Sequence, residues 1–258
     1  MADQAVPNHP YSPPTASIPH YQENDMTLYR LIGSLGLLLG IVAVGSAGLA
    51  ARRNPRLSLN ERLIVSWYCI CGFLHCFFEG YFVYNHATLA GQQTLFAQLW
   101  KEYSLSDSRY LTSDPFMISV ETITVLVWGP LCFFSAWCII RDSTIRHPVQ
   151  MMVCMGHLYG VVLYFATSTA EQYYHGSNGH SRPEFQYFWL YYVGFNLPWV
   201  IVPALLLLRS IRAMRAAFAM LGRVQGLLTE LRGNIHDIKQ RDHLDDHTPC
   251  ESEGEKTK

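Results

Sequence analysis

The sequence is short of charge, and the shortage is uneven. Only 15% of the 258 residues are Asp, Glu, Lys or Arg, against 50% hydrophobic. Basic and acidic residues nearly cancel, 19 against 20, so the basic surface that nucleic acids select is missing. No glycine-rich loop of the kind that cradles phosphates is present, which excludes a nucleotide site of that type. The 7 cysteines form neither an even disulfide framework nor a metal-ligand spacing. Cys69, Cys71, Cys76, Cys132, Cys138 and Cys154 fall in apolar stretches, Cys250 in the tail, and they read as small apolar fillers. No Lys or Arg precedes Arg30, and residues 1–25 are polar with five prolines. The basic start and apolar core of a cleavable signal peptide are therefore lacking, and the first apolar block is expected to direct targeting. No internal repeat recurs at a fixed period.

What the chain does have is long apolar blocks. Leu31–Ala51 and Phe185–Leu208 carry no charge; Leu63–Tyr84 carries Glu79 with His75, Phe116–Ile140 carries Glu121, and Pro148–Ala166 carries only His157. Each supplies the roughly 20 residues needed to cross ~30 Å of hydrocarbon as a helix. Strands of a soluble α/β domain are far shorter, and its buried helices rarely stay apolar on every side for so long. The pattern predicts an all-α membrane protein, a five-transmembrane-helix bundle with an internal ligand cavity. Residues 1–26 read as a polar lumenal N-terminal segment and 27–210 as the membrane domain. Residues 211–258 read as a cytoplasmic amphipathic, arginine-bearing stretch to about Arg232, followed from Asn234 by a charged tail of disordered composition. Arg52, Arg53, Arg56 and Arg62, then Arg141 and Arg146, then Arg209, Arg212 and Arg215 mark alternate connections as cytoplasmic. The N-terminus is thereby placed in the lumen and the C-terminus in the cytoplasm.

Ionisable groups inside such blocks need a reason. A carboxylate at the centre of a membrane helix costs about 2.5 to 3.5 kcal/mol unless it faces protein or a watery cavity. In "HCFFEG", residues 75–80, His75 and Glu79 stand at i and i+4 and share one face. Counting ~1.5 Å per residue from the lumenal ends puts Glu79 and Glu121 at ~8 Å depth, His75 at ~14 Å and Asn196 at ~17 Å, with Trp199 one turn deeper. One cavity can hold them all. A carboxyl group in apolar surroundings can be held protonated while a neighbouring histidine or second carboxylate takes the opposite state. The indole of Trp199 can stabilise a developing cation by about 1 to 2 kcal/mol. These parts suit protonation of an alkene, a carbocation, and loss of a different proton. Plainer roles exist for each part alone. Single polar groups tie membrane helices together, the aromatics at 185–192 read as an interfacial belt, and His157 in "GHLYG" reads as a satisfied core histidine. Pro130, Pro198 and Pro203 are expected to kink helices, around Asn196 and Trp199 in particular.

The segments "CGFLHCFFEGYFV", "ETITVLVWGPL", "YFWLYYVGFNLPWV", the early "HPYSPP" and above all the loop "QLWKEYSLSDSRYLTSDPF" closely resemble the emopamil-binding protein family, sterol Δ8,Δ7-isomerases that share their membrane domain with the sigma-2 receptor type. The resemblance runs from about His9 to Ser210. It implies a multi-pass endoplasmic reticulum enzyme that moves a ring double bond from C8 to C7 without a cofactor or metal. It implies His75, Glu79, Glu121, Asn196 and Trp199 as catalytic residues, and Thr124, Arg109 and Tyr110 as substrate-binding. A sterol or terpenoid substrate, inhibition by cationic amphiphilic amines and a possible homodimer are implied as well. Where the family reads "GQIYGD", this chain reads "GHLYGVV", with His157 and Val161 in place of an amide and an acid. Two alternatives stay open on that account: isomerisation or cyclisation of a terpenoid of a specialised pathway, and non-enzymatic sterol binding as in the sigma-2 relatives.

Overall fold

The computed structural model describes residues 9–175 and 179–245. The chain divides into two units, Met1–Ser210 and Ile211–Lys258. Helices form where the apolar blocks predict them: α1 (Leu28–Arg53), α2 (Leu59–Asn85), α4 (Pro115–Ile140), α5 (Arg146–His175) and α6 (Leu197–Asp245), the last led by a π-helical segment Gln186–Gly194. Among the described residues, five helices are long and apolar enough to cross a membrane. The protein is a multi-pass membrane protein. A short helix, α3 (Leu95–Tyr103), lies within the connection between α2 and α4.

Local sequence signals set the starts. Ser58 and Glu61 form a reciprocal capping box at the head of α2, and the Asp114 side chain accepts from the Met117 backbone at 2.9 Å with Pro115 in the first turn of α4. At the opposite end of the bundle Glu61 also receives Arg146 at 2.9 Å, joining α2 to α5. α1 packs against α2 and buries only Leu31 and Ala50.

Two boundaries differ from the sequence reading. α5 continues past Ala166 to His175, 30 residues or ~45 Å, because the polar run after Ala166 keeps helical propensity beyond the hydrocarbon. α6 continues past Asn234 to Asp245, so the stretch 234–245 is helical where disorder was expected; residues 246–258, Cys250 included, lie outside those described. In the second unit the described apolar residues Phe218, Leu221, Leu228 and Ile235 are exposed.

The polar N-terminal segment is packed rather than free. Tyr11 and Ile18 are buried in the same core as Phe82, Trp100 and Tyr110. Lys101 is buried too; its Nζ donates to the Gln22 carbonyl at 2.8 Å and the Gln93 side chain at 3.2 Å, and burial lowers the pKa of its ammonium group. Residues 9–26 and the α3 connection thus form one cap. Residues 1–8 lie outside those described.

Candidate active site

The site begins with two departures from α-helical winding. α2 passes through a π-helical turn at Leu74–Glu79, and α4 through another at Thr124–Trp128. The two turns pack against each other. Each takes in a residue beyond the α count and so re-aims the side chains about it, a device concentrated at functional sites.

The α2 turn carries His75 and Glu79. Nδ1 of His75 lies 2.8 Å from both carboxylate oxygens of Glu79, and the histidine is 4% exposed. On its other side, Nε2 of His75 lies 3.1 Å from Nε2 of His157 on α5. Glu121 of α4, also buried, accepts a hydrogen bond from the Tyr110 hydroxyl at 2.9 Å, and its side chain contacts that of Glu79. Burial, followed by the negative charge of Glu121, pushes the Tyr110 hydroxyl well above its ordinary pKa, so it remains a donor. The ring of Trp199 stands 6.5 Å from that of His75, centroid to centroid. Asn196 donates to the Tyr192 carbonyl at 2.7 Å and reaches the Tyr103 hydroxyl at 3.4 Å.

These groups line one cavity of about 350 Å³, walled otherwise by aromatic and aliphatic side chains. That volume lies within the range of small-molecule pockets, and its few converging polar groups fit that type. Thr124 also lines the cavity, although its hydroxyl donates to the Val120 carbonyl of its own helix at 2.9 Å.

Seven of the eight residues singled out from sequence, His75, Glu79, Tyr110, Glu121, Thr124, Asn196 and Trp199, meet in the cavity wall. Arg109 does not. Its guanidinium forks onto Asp107, with Nη2 at 2.6 Å and Nε at 3.0 Å, donates to Thr167 at 3.1 Å, and lies over the Tyr164 ring. It fastens the cap to α5, while Tyr164 faces the cavity. Its neighbour in sequence supplies the cavity contact.

Over 222 residues the chain is 35% identical to the 3-beta-hydroxysteroid-Delta(8),Delta(7)-isomerase of Mus musculus, covering 86% of this chain and 95% of that protein. It is 34% identical over 212 residues to the Cavia porcellus protein of the same name, covering 82% of this chain and 91% of that protein. Residues 95–210 match the family model EXPERA (EXPanded EBP superfamily). The chain belongs to the EXPERA family. A further relative, isomeliandiol synthase of Melia azedarach, is 35% identical over 157 residues, 60% of this chain and 71% of that protein.

Several residues of this EXPERA protein's site were not legible as such. His157, read as a satisfied core histidine, is buried and hydrogen-bonded but also stands in the cavity wall beside His75. Trp100 and Tyr103 of α3 line the cavity at the end that meets the cap; Trp100 stacks on Phe78 at 4.5 Å and donates to the Phe78 carbonyl at 2.9 Å. The helix-period alternation of "LFAQLWKEY" is the signal that could have found them. In the same cap Glu102 accepts from the Tyr191 hydroxyl at 3.2 Å; burial raises its carboxyl pKa, and that hydrogen bond opposes the rise. The 185–192 aromatics divide: Phe185 and Trp189 are exposed, as a belt requires, whereas Tyr191 and Tyr192 are buried. Cys71 and Cys132 are not mere fillers by position, since Cys71, His75 and His157 place ligating atoms within 4.8 Å of one another, and Cys132 Sγ lies 3.7 Å from His157 Nε2. The residues come from three helices, which is why no linear spacing announced them.

Proposed function

We propose that the protein is a sterol isomerase that shifts a ring double bond from C8 to C7 inside the endoplasmic reticulum membrane, with its N-terminus lumenal and its C-terminus cytoplasmic. One observation carries the reading: a hydrogen-bonded carboxyl–imidazole pair, Glu79 and His75, lines one largely apolar cavity together with a second carboxyl, Glu121, and an indole, Trp199. Identity to the mouse and guinea-pig isomerases over nearly their whole length supports the choice of substrate.

Each group then has a task. The Glu79 carboxyl, hydrogen-bonded to His75, delivers a proton to C9, and the electron pair of the C8=C9 bond forms the new C9–H bond. The cation left at C8 sits against the face of Trp199, with carboxylate charge nearby. The C7–H pair collapses to form C7=C8, and Glu121, steadied by Tyr110, takes the proton. Asn196 and Thr124 shape the substrate's bed, and Arg109 acts on it only by holding the cap. Because the intermediate is a cation in an apolar box, cationic amphiphilic amines bind as its mimics.

The test is conversion of a Δ8-sterol to its Δ7 isomer by microsomes containing the protein, run in deuterated water. Deuterium at C9 is expected, with a loss of at least a hundredfold in Glu79→Gln and Glu121→Gln, the scale of general acid–base catalysis. Turnover unchanged in either variant would sink the assignment. A second reading, isomerisation of a terpenoid, has its own observation: His157 and Val161, where the chain departs from the family pattern, both line the cavity. Likeness to isomeliandiol synthase points the same way, and conversion of a triterpenoid but not of a Δ8-sterol would select it.

A further inference from the structure

We propose that Cys71, His75, Cys132 and His157 form a binding site for a single zinc ion that switches the isomerase off. The inhibitory part rests on the assignment of Glu79 and His75 to proton delivery; the site itself does not. The four donors come from α2, α4 and α5 and are all buried. The Nε2 atoms of the two histidines stand 3.1 Å apart, and Cys132 Sγ is 3.7 Å from His157 Nε2. Cys71 Sγ lies within 4.8 Å of a ring nitrogen of each histidine, and its thiol contacts that of Cys132. Zinc bonds of ordinary length to two nitrogens and two sulfurs, arranged tetrahedrally, set those atoms about 3.3 to 3.8 Å apart. The measured separations match two of these edges; Cys71 must shift inward, and Cys132, which stands outside the group whose ligating atoms all lie within 4.8 Å of one another, must swing further in to complete the tetrahedron.

Chemistry and charge select the ion. Two thiolates and two imidazoles are the donor set of closed zinc sites, whereas calcium and magnesium require oxygen. The thiolates cancel the dipositive charge, leaving a neutral centre where a low dielectric would penalise any excess. His75 already places its outer nitrogen, Nδ1, 2.8 Å from Glu79, the carboxylate arrangement that orients zinc-bound histidines.

Binding displaces one proton from each thiol and a third from the Glu79–His75–His157 chain to solvent: the Glu79 proton passes to Nδ1 of His75 as its Nε2 turns to the metal, the proton between the two Nε2 atoms leaves, and His157 keeps its own on Nδ1. With its Nε2 on the metal, His75 keeps one proton, on Nδ1, donated to the Glu79 carboxylate. Glu79 is thereby held as an acceptor and has no proton to give to an alkene.

The full chain in detergent micelles, titrated with Co²⁺ as a spectroscopic stand-in, is expected to bind one equivalent with thiolate-to-cobalt charge-transfer bands and the d–d bands of a tetrahedral ion. Zn²⁺ is expected to lower Δ8-sterol turnover at least tenfold, reversibly on adding a chelator. The Cys71→Ala/Cys132→Ala protein should keep its basal turnover, lose the cobalt bands and withstand zinc. If that pair fails to fold, Cys132→Ser alone should lose the bands. Absence of the bands in the unaltered protein, or their persistence in the cysteine variants, would overturn the site. Thiolate-bound cobalt with turnover intact under zinc would overturn the switch, and with it the role given to His75, while leaving the Δ8 conversion itself standing.

Discussion

Tyr110 shows how much a single hydroxyl can carry. It donates at 2.9 Å to a buried carboxyl of the cavity and touches Glu121 at the atom that the proposed mechanism uses. Replacing Tyr110 by Phe keeps the ring and its packing on Phe82 and Trp100 but removes the donor. Loss of a hydrogen bond to a charged partner in a buried setting is worth about 1.5 to 3 kcal/mol. Tyr110→Phe is therefore expected to lower kcat about ten- to a hundredfold with little change in KM, and equal kcat in the two proteins would show that the ring alone matters. At this scale the sequence was most informative for residues whose cost in a membrane is plain. Glu79 and Glu121 announced themselves because a carboxyl group in an apolar block demands an explanation. His157 did not, because a lone histidine on a membrane helix has two ordinary readings, and only the approach of α5 to α2 at His75 separates them.

Helical elements decide whether those residues meet. His75 and Glu79 were expected to share a face at i and i+4 of an α-helix, and they do lie together, but within a π-helical turn that packs on a second one in α4. Nothing in the apolar periodicity signals a π turn, since the same residues satisfy either winding; the tertiary contact chooses. The prolines are a partial trace of it. Pro130 lies inside α4, directly after its π turn, and Pro203 lies inside α6, both as expected, while Pro198 stands in the first turn of α6, where a missing N–H costs little. Gly129 is the residue that allows the close approach. A Cβ there would stand 2.4 Å from Cys76 Sγ and 3.2 Å from the Cβ of His75, atoms near the backbone that have little room to retreat. Gly129→Ala is expected to destabilise the bundle by about 1 to 3 kcal/mol and to spread the two π turns. Thermal unfolding in micelles should show a lower midpoint, with turnover falling further than the folded fraction; an unchanged midpoint would mean that the helices separate freely there.

Across the whole molecule, span number and order were legible because ~30 Å of hydrocarbon imposes a length on every crossing helix. The cap was not, since residues 9–26 carry no apolar block and their packing depends on pairing with a segment some seventy residues later, as in Gln22 N to Ala90 O at 2.9 Å and Met26 N to the Gln98 side chain at 2.9 Å. Gly91 fits this pairing, since a Cβ there would meet the His20 carbonyl at 2.8 Å. Ile18 is the apolar pin of the arrangement, 1% exposed in the core that also holds Trp100 and Tyr110. An aspartate at that position would bury a charge without a partner and leave unfilled the volume the isoleucine occupied. A cost of about 2 to 5 kcal/mol follows from the lost packing and the uncompensated polar group. The five membrane helices do not need residue 18 to insert, so Ile18→Asp is expected to reach the membrane at ordinary abundance while its cap loosens. The cap supplies Trp100, Tyr103 and Tyr110 to the cavity, and its loosening should weaken binding of a cationic amphiphilic amine and slow turnover together. Limited proteolysis from the side of the membrane that bears the cap is the direct check, with cleavage before Thr27 expected to be much faster in the variant. Equal protection of the two proteins would mean that the N-terminal segment is held by its polar contacts to Gln98 and Lys101 alone.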